Sequence, residues 1–222
     1  MLGQAPTTRL LIATANAGKL REFRSLLAGL PFELTSSAEL GLSQPAETGE
    51  TFLANALLKA RHGASGSGSA AVADDSGLEV DALGGAPGIY SARYAGVGAD
   101  DAANNAKLMR ALAGIPRERR QARYRCALVF VKSAADPAPL VAEASWEGII
   151  LSEPRGGGGF GYDPYFWLPD LGKTAAELPA TEKNRLSHRG KALRALREQL
   201  AALDPTAGLN PTAALDPLAA PP

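Results

Sequence analysis

The sequence is poor in residues that form covalent or metal-based cross-links. Its 222 residues include one cysteine, Cys126, and two histidines, His62 and His188. A single cysteine excludes an internal disulfide and a cysteine-based zinc cluster, and two histidines exclude a histidine-rich metal site. A chain of this length buries roughly 70% of its unfolded surface on folding, so it needs no such cross-link.

An excess of charge of either sign is also lacking. Lys and Arg together number 23, as do Asp and Glu, so the formal net charge is zero. Proteins that bind long nucleic acids or anionic membranes usually carry a basic excess, so the balance argues against both partners. It is compatible with a small anionic ligand, which needs only a few well-placed cations.

Long apolar runs are absent as well. No segment approaches the ~20 apolar residues that a membrane span requires. The first 19 residues contain no apolar stretch behind a basic start, which is the pattern of a signal peptide. We therefore expect a globular, cytoplasmic protein that does not interact with membranes.

Apolar spacing in the first half of the chain predicts alternating strands and helices. The predicted elements are a strand over 10–14, a helix over 19–30, a helix from a Thr48 cap to residue 60, a strand over 70–73 and a helix over 100–112. The Gly/Ser-rich segment 62–69 predicts a loop, and the Gly- and Pro-containing segment 83–98 predicts a long ordered loop.

The second half predicts an antiparallel pair of strands and a final helix. The strands cover 122–131 and 140–151, an aromatic strand follows over 165–167, and the helix covers 187–200. Leading β-α units with a later antiparallel pair indicate a single mixed-sheet α/β domain over residues 1–200. Residues 201–222 lack aromatic and basic side chains and predict an Ala/Pro-rich disordered tail.

Two glycine-containing matches to nucleotide motifs fail on context. Gly172-Lys173-Thr174 lacks the first glycine of a phosphate-binding P-loop, since Trp167 stands at that position. The spacing of Gly156, Gly158 and Gly161 fits a dinucleotide fingerprint, but strand and helix do not flank it. The sequence also lacks the G-x-S-x-G motif of many serine hydrolases.

The turn between the first strand and helix is a candidate phosphate site. Backbone N–H groups and the helix dipole favour an anion there, and Thr14, Asn16 and Lys19 add two polar groups and a full positive charge. A capped helix with a solvated lysine is an equally good interpretation of this spacing.

Carboxylates form the second candidate site. Glu47 and Glu50 flank Thr48, and Asp74 and Asp75 follow the predicted strand over 70–73. Adjacent carboxylates that lose hydration usually have a cation or donor nearby, and oxygen ligands without Cys or His favour Mg²⁺. A capping aspartate beside a solvated one is the alternative.

The third candidate site lies near the end of the chain and suits a base. Glycines 156–161 permit a close approach of backbone to ligand, and two aromatic side chains offer faces for stacking. Donors and acceptors follow, two of them just before a helix whose dipole disfavours cations. The residues are Phe160, Gly161, Tyr162, Asp163, Lys183, His188 and Arg189. A flexible loop before an ordinary basic helix start is the alternative.

Five segments together resemble the inosine triphosphate pyrophosphatase family. The segments are TANAGKLREF (14–23), ETGETFLANALLKAR (47–61), ADDSGLEVDALGGAPGIYSARYAG (73–96), GGFGYDPYF (158–166) and EKNRLSHRGKAL (182–193). They occur in the family's order, with Ala15 where the family more often has glycine. The resemblance implies an elongated mixed sheet flanked by helices, a cleft between two lobes, and a homodimer.

The resemblance also implies Mg²⁺-dependent hydrolysis of ITP, dITP and XTP to the monophosphate and pyrophosphate. Residues 14–19, that is Thr14, Ala15, Asn16, Ala17, Gly18 and Lys19, would hold the phosphates, with Lys59 as a further cation. Glu47 and Asp75 would hold the metal, and Asp75 would also orient or deprotonate the attacking water. Ser76 would cover the phosphate or sugar side.

Base selection follows from donor and acceptor positions. Hypoxanthine and xanthine carry a 6-oxo acceptor where adenine carries an amino donor, so donors from His188 and Arg189 would reject ATP. Guanine shares the 6-oxo group, and segment 160–163 is the candidate for its rejection at the 2-position. Two alternatives stay open: a related pyrophosphatase of modified pyrimidine nucleotides, and a catalytically idle nucleotide-binding module.

Overall fold

The structure, a computed structural model, describes residues 8–202. In chain order the elements are β1 (Thr8–Ile12), α1 (Ala17–Leu27), β2 (Phe32–Ser36), α2 (Phe52–Ser67), β3 (Ala70–Val80), α3 (Asp101–Ala111), β4 (Gln121–Val131), β5 (Leu140–Ile150), β6 (Phe166–Leu168), β7 (Lys173–Thr174), α4 (Ala180–Leu186) and α5 (His188–Ala201). A 3-10 helix, Gly88–Arg93, lies within the predicted long loop. None of the helices between residues 8 and 202 combines the length and the apolar composition of a membrane span.

The strands form one mixed sheet in the order β2-β1-β3-β4-β5-β6-β7. β1 pairs in parallel with β2 and β3, and the other neighbouring strands pair antiparallel. The two longest ladders join β3 to β4 and β4 to β5. The predicted mixed α/β class and the predicted antiparallel pair of strands are therefore confirmed.

Strand alternation divides the apolar side chains between the two faces of the sheet. On one face, Leu10 and Ile12 of β1 pack in a cluster with Phe23 of α1 and Leu193 of α5. On the other face, Leu11 packs with the small side chains of α2. A further cluster forms toward the other end of β3, where Leu78 and Val80 join aromatic residues of β4, β5 and β6. Helices therefore cover both faces, and β3 runs through the centre.

The predicted loop over 62–69 is wrong, because α2 continues to Ser67. Gly63 belongs to the face of this helix that packs against the sheet. A Cβ atom on Gly63 would lie 2.8 Å from Leu11 Cδ2 and 3.0 Å from Ala13 Cβ, so the glycine lets the helix pack closely on β1. The helix ends at Gly68, which adopts the left-handed conformation. Its N-cap is Thr51 rather than Thr48, since Thr51 Oγ1 accepts a hydrogen bond from the Ala54 N–H at 3.1 Å.

The predicted end of the strand at Ala73 is also wrong. β3 continues through Asp74 and Asp75 to Val80, and residues 71–80 pair with β4. Two adjacent carboxylates inside a buried strand are tolerated because each has a cationic partner from another element.

Several short elements were not predicted, namely β2, β7 and α4, whereas the helix predicted over 100–112 is observed as α3. The predicted aromatic strand over 165–167 is observed one residue further along, as β6. The predicted tail lies outside the described residues apart from its first two, and Ala201 is the last residue of α5. The single domain over 1–200 stays a prediction.

Candidate active site

A pocket opens where β3, the N-terminal ends of α1 and α5, and segment 156–161 meet. We call this segment the glycine loop. The pocket is lined by Asn16, Lys19, Glu47, Asp75, Ser76, Gly77, Leu78, Ile89, Ser91, Ala92, Asp101, Asn104, Tyr124, Phe160, Gly161, Tyr162, Asp163, Lys183, His188 and Arg189. Twelve residues of the predicted site therefore share one cavity, although they come from all five sequence motifs.

The turn before α1 is shaped by its own side chains. Asn16 is the N-cap, and its Oδ1 accepts a hydrogen bond from the Lys19 N–H at 3.0 Å. Thr14 Oγ1 accepts from the Asn16 N–H at 3.2 Å. These bonds fix the conformation of the turn, so Thr14 holds Asn16 in place without lining the pocket itself. Ala15 belongs to the same turn, Ala17 and Gly18 begin α1, and these three residues do not line the cavity.

Lys19 is not the solvated lysine that the alternative interpretation of this turn required. Its Nζ atom lies 3.0 Å from Asp74 Oδ2, and its side chain is 15% exposed. Asp74 is fully buried, and burial alone would raise its pKa. The positive charges of Lys19, Arg189 and Lys59 outweigh burial and hold the pKa of Asp74 well below its usual value. Asp74 is therefore a permanent negative charge that orders the cations around it.

Asp75 lies on the opposite face of β3 from Asp74 and has different partners. Its Oδ1 accepts from Lys59 Nζ at 2.8 Å, and its Oδ2 accepts from Asn55 Nδ2 at 3.2 Å. Burial raises the pKa of Asp75, and the nearby Lys59 charge only partly offsets this. A carboxylate with a raised pKa that borders a pocket is suited to accept a proton.

Glu47 shares Lys59 with Asp75. Lys59 Nζ lies 3.0 Å from Glu47 Oε1, and Arg93 forms an ion pair with the other oxygen of Glu47. Burial opposes ionisation of Glu47, but the bonds from Arg93 and Lys59 outweigh it and lower the pKa. Burial would lower the pKa of Lys59, but Asp74, Asp75 and Glu47 raise it. Lys59 thus bridges two carboxylates from outside the pocket lining.

The donor set fits a hard divalent cation. Glu47 and Asp75 present carboxylate oxygens to one pocket and share one lysine. Between residues 8 and 202, acidic, Cys and His side chains do not come together in groups of three or more that could enclose a metal. Mg²⁺ suits such a site, because it commonly binds one or two carboxylates and takes its other ligands from water and substrate phosphates. Glu50, by contrast, is exposed and does not line the pocket.

Arg189 donates three hydrogen bonds to neighbouring side chains. Its guanidinium donates to Asp74 Oδ2 at 3.1 Å, Glu22 Oε2 at 2.6 Å and Ser76 Oγ at 2.7 Å. Ser76 Oγ in turn donates to Asp74 Oδ2 at 3.0 Å. Burial would lower the pKa of Arg189, but Asp74 and Glu22 raise it, so the charge is permanent. The Glu22 contact was not predicted.

His188 and Tyr124 form a stacked pair beside Arg189. Their ring centroids lie 4.7 Å apart and their planes differ by 10°. Burial lowers the pKa of His188 well below its usual value, and the charges of Arg189 and Lys183 add to this. The imidazole is therefore neutral. Its Nδ1 atom is buried and has no hydrogen-bond partner among the described residues.

Asp163 joins the glycine loop to α4. Its Oδ2 accepts from Lys183 Nζ at 2.5 Å and from the Phe160 N–H at 2.9 Å, while Tyr124 OH donates to its Oδ1 at 3.2 Å. The Phe160 ring lies 4.6 Å from Lys183 Nζ and faces the pocket. Tyr162 differs from the prediction of a stacking face: it is 4% exposed, packs in the core and donates its OH to the Ser91 carbonyl.

The partners that the sequence analysis missed are Glu22, Asn55, Arg93, Asp101, Asn105 and Tyr124. Glu22, Asn55 and Arg93 lie inside three of the recognised motifs, so their positions were signalled but their contacts were not. Glu22 follows Lys19 by one helical turn and therefore lies on the same face of α1. Tyr124 stands on an alternating strand, where an aromatic residue normally indicates core.

The fold and the pocket define a mixed α/β protein whose site combines carboxylates, buried cations and an aromatic wall. Residues 10–199 match the model of the Ham1 family, and the chain belongs to that family. It is 56% identical over 194 residues to the dITP/XTP pyrophosphatase of Xanthomonas oryzae pv. oryzae, covering 87% of this chain and 98% of the relative. It is 54% identical over 192 residues to the dITP/XTP pyrophosphatase of Escherichia coli O157:H7, covering 86% and 98%.

A solved structure supports the same assignment. The HAM1 protein of Coxiella burnetii superposes with a TM-score of 0.81 at 43% identity, covering 88% of this chain and 100% of that one. The family resemblance drawn from the five motifs is confirmed by these relatives, and so is the α/β fold class.

Proposed function

We propose that this chain is a dITP/XTP pyrophosphatase that hydrolyses deaminated purine nucleoside triphosphates, ITP included, to the monophosphate and pyrophosphate. Relatives that are identical to it at more than half of the aligned positions carry that name. Such an enzyme would remove deaminated nucleotides before a polymerase incorporates them.

The observation that carries the proposal is that two chemically different sets of side chains line one pocket. One set, which we call the phosphate end, has Lys19 at a helix N-terminus and two carboxylates that share Lys59. The other set, which we call the base end, has Phe160, Tyr124 and the neutral His188. Cations and carboxylates suit a triphosphate with its metal, and aromatic rings suit a base.

The phosphate end provides the groups that hydrolysis needs. The backbone of the turn before α1 and Lys19 would bind phosphate oxygens. Asp75 would take a proton from a water molecule while the oxygen of that water forms a bond to the α-phosphorus. The bond from that phosphorus to the bridging oxygen then breaks, and pyrophosphate leaves with its electron pair. A base of this kind contributes about 10²- to 10⁴-fold to the rate.

Glu47 and Asp75 would hold Mg²⁺ in this scheme. A divalent cation bound there would neutralise the negative charge that develops on the phosphate oxygens. Lys59 and Arg93 keep Glu47 ionised, and Asn55 and Lys59 keep the Asp75 carboxylate in place. These four side chains therefore prepare the two carboxylates for the cation.

The base end would select a 6-oxo purine. A neutral His188 has one N–H to donate, and the buried Arg189 guanidinium lies beside it. A 6-amino group in place of the oxygen would leave donors facing a donor, which discriminates by about 10⁴ or more in sites built on such a bond. Segment 160–163, with Phe160 as the stacking surface, is the proposed barrier to guanine.

We also propose that the protein acts as a cytoplasmic homodimer that binds neither nucleic acid nor membranes. The zero net charge supports the absence of polyanionic partners. The dimer is proposed from the family resemblance.

The direct test is pyrophosphate release from ITP, dITP, XTP, GTP and ATP, with Mg²⁺ and then with EDTA. We expect fast, metal-dependent release from the first three substrates. Equal turnover of ATP and GTP would still indicate a hydrolase but would contradict the proposed selection of the base. Binding without release would instead indicate an idle nucleotide-binding module.

A further inference from the structure

Two side chains of α3 hold both backbone polar groups of Gly161. The Gly161 N–H donates to Asp101 Oδ2 at 2.6 Å, and Asn105 Nδ2 donates to the Gly161 carbonyl at 2.9 Å. Asn105 is buried and also donates to the Asp101 carbonyl at 2.8 Å. The end of the glycine loop is therefore attached at two points to one turn of helix, a contact that we call the α3 latch (Asp101 and Asn105).

The latch lies next to Phe160, the proposed stacking surface for the base. Phe160 precedes Gly161, and its own N–H is held from the other side by Asp163 at 2.9 Å. Five of the six residues of the glycine loop are glycine, and such a segment has a wide choice of backbone conformations. The latch and Asp163 remove that choice on both sides of Phe160.

The Phe160 ring depends on this placement because it packs against the opposite wall of the pocket. A Cβ atom on Gly18 would lie 2.9 Å from Phe160 Cδ1 and 3.0 Å from Cε1. The ring thus rests on the first turn of α1, and the Lys183 ammonium lies 4.6 Å from its centroid. A shift of the Gly161 backbone would move the ring off this turn.

We propose that Asp101 and Asn105 are positioning residues for purine recognition, acting through Gly161 to place the Phe160 ring. The inference rests on the proposed function, because it takes Phe160 as the surface on which the base stacks. The glycine loop loses its conformational entropy when the protein folds rather than when the nucleotide binds. A site that is already ordered binds its ligand more tightly for that reason.

The test compares a ligand with a base and a ligand without one. Calorimetry measures the dissociation constants of inosine monophosphate and of inorganic triphosphate for the full chain and for Asp101→Ala. We expect about 3- to 10-fold weaker nucleotide binding, part of what an aromatic–base stack contributes, and unchanged triphosphate binding. Asp101→Asn, whose amide oxygen still accepts from the Gly161 N–H, is expected to restore nucleotide binding. Asn105→Ala is expected to act like Asp101→Ala.

A matched control separates positioning from helix stability. Asp100 caps the same helix, and its Oδ1 accepts from the Ala103 N–H at 2.8 Å without contacting Gly161. Asp100→Ala is expected to lower the melting temperature while leaving the dissociation constant for inosine monophosphate unchanged. A loss of nucleotide affinity in Asp100→Ala equal to that in Asp101→Ala would overturn the inference.

A double-mutant cycle shows whether the latch acts through Phe160. In a Phe160→Ala background, Asp101→Ala is expected to weaken nucleotide binding no further. Additive losses, or equal losses for inosine monophosphate and triphosphate, would overturn the inference and leave the proposed function intact. A wild-type chain that binds no nucleoside phosphate would overturn both.

Discussion

Asp74 and Asp75 are neighbours in the sequence but face opposite sides of β3. Asp74 contacts Lys19 and Arg189, whereas Asp75 contacts Lys59. The alternation of side chains along a strand separates the two carboxylates, so they do not form an acid–base pair. Their pKa values shift in opposite directions, downward for Asp74 and upward for Asp75. One side chain therefore serves the charge network, and the other is proposed for proton transfer.

Asp75→Asn is expected to reduce pyrophosphate release from ITP by at least about 100-fold, because the amide cannot accept the proton of the attacking water. Binding of inosine monophosphate is expected to persist. Steady-state kinetics and calorimetry measure the two quantities. Glu50→Gln is the control, since Glu50 is acidic, close in sequence to Glu47 and outside the pocket lining. A substantial remaining rate in Asp75→Asn would exclude Asp75 as the base.

Asp74→Asn is expected to lower the free energy of unfolding by about 3 kcal/mol, because it leaves the buried Arg189 charge with less compensation. Urea unfolding at neutral pH measures the change. Asp75→Asn is expected to leave stability unchanged or raise it, because the raised pKa of Asp75 shows that folding disfavours its charged form. Equal destabilisation by both substitutions would contradict the opposite directions of the two pKa shifts.

His188 is expected to make stability depend on pH below about 6.5, the pKa of an unperturbed histidine. Burial and the charges of Arg189 and Lys183 lower the pKa of His188 in the folded state. Below about pH 6.5 the unfolded chain therefore binds a proton that the folded chain does not. This contribution to stability is present above pH 6.5 and is lost as the pH falls, with a slope of at most about 1.4 kcal/mol per pH unit.

The measurement is urea unfolding of the wild type and of His188→Gln between pH 5 and pH 8, an interval set around the unperturbed histidine pKa of about 6.5. The difference in unfolding free energy between the two proteins is expected to be constant at the alkaline end and to shrink toward the acidic end. A difference that stays constant across the whole range would mean that the pKa of His188 is the same in the folded and in the unfolded protein.

Gly190→Ala is expected to destabilise the protein by at least about 2 kcal/mol, although alanine favours a helix. A Cβ atom on Gly190 would lie 1.7 Å from the Asn184 carbonyl oxygen, so the junction between α4 and α5 would have to shift. Gly66→Ala in α2 is the matched control. Its nearest contact would be the end of the Leu42 side chain at 3.1 Å, so equal or higher stability is expected. Thermal unfolding compares the two, and similar melting temperatures would contradict the close contact at Gly190.

Local sequence patterns were sufficient for the longer elements of this fold. Apolar spacing predicted α1, α3 and α5 and the pair β4–β5, because in these segments burial of one face and backbone preference agree. The patterns were insufficient where packing overrides preference. Gly63 looks like a loop residue until β1 is packed against it, and Asp74 looks like the end of a strand until cations from α1 and α5 surround it.

The family, the α/β class and the residue types of the site could be read from local sequence, because five ordered motifs carry that information. The pairing of charges depends on how the elements pack. Glu22 and Arg189 are separated by 167 positions, and their ion pair exists because α1 and α5 pack side by side on one face of the sheet. The pKa of a carboxyl group depends on its burial and on charges within a few ångströms, so the opposite shifts of Asp74 and Asp75 arise from the folded surroundings and not from their identical side chains.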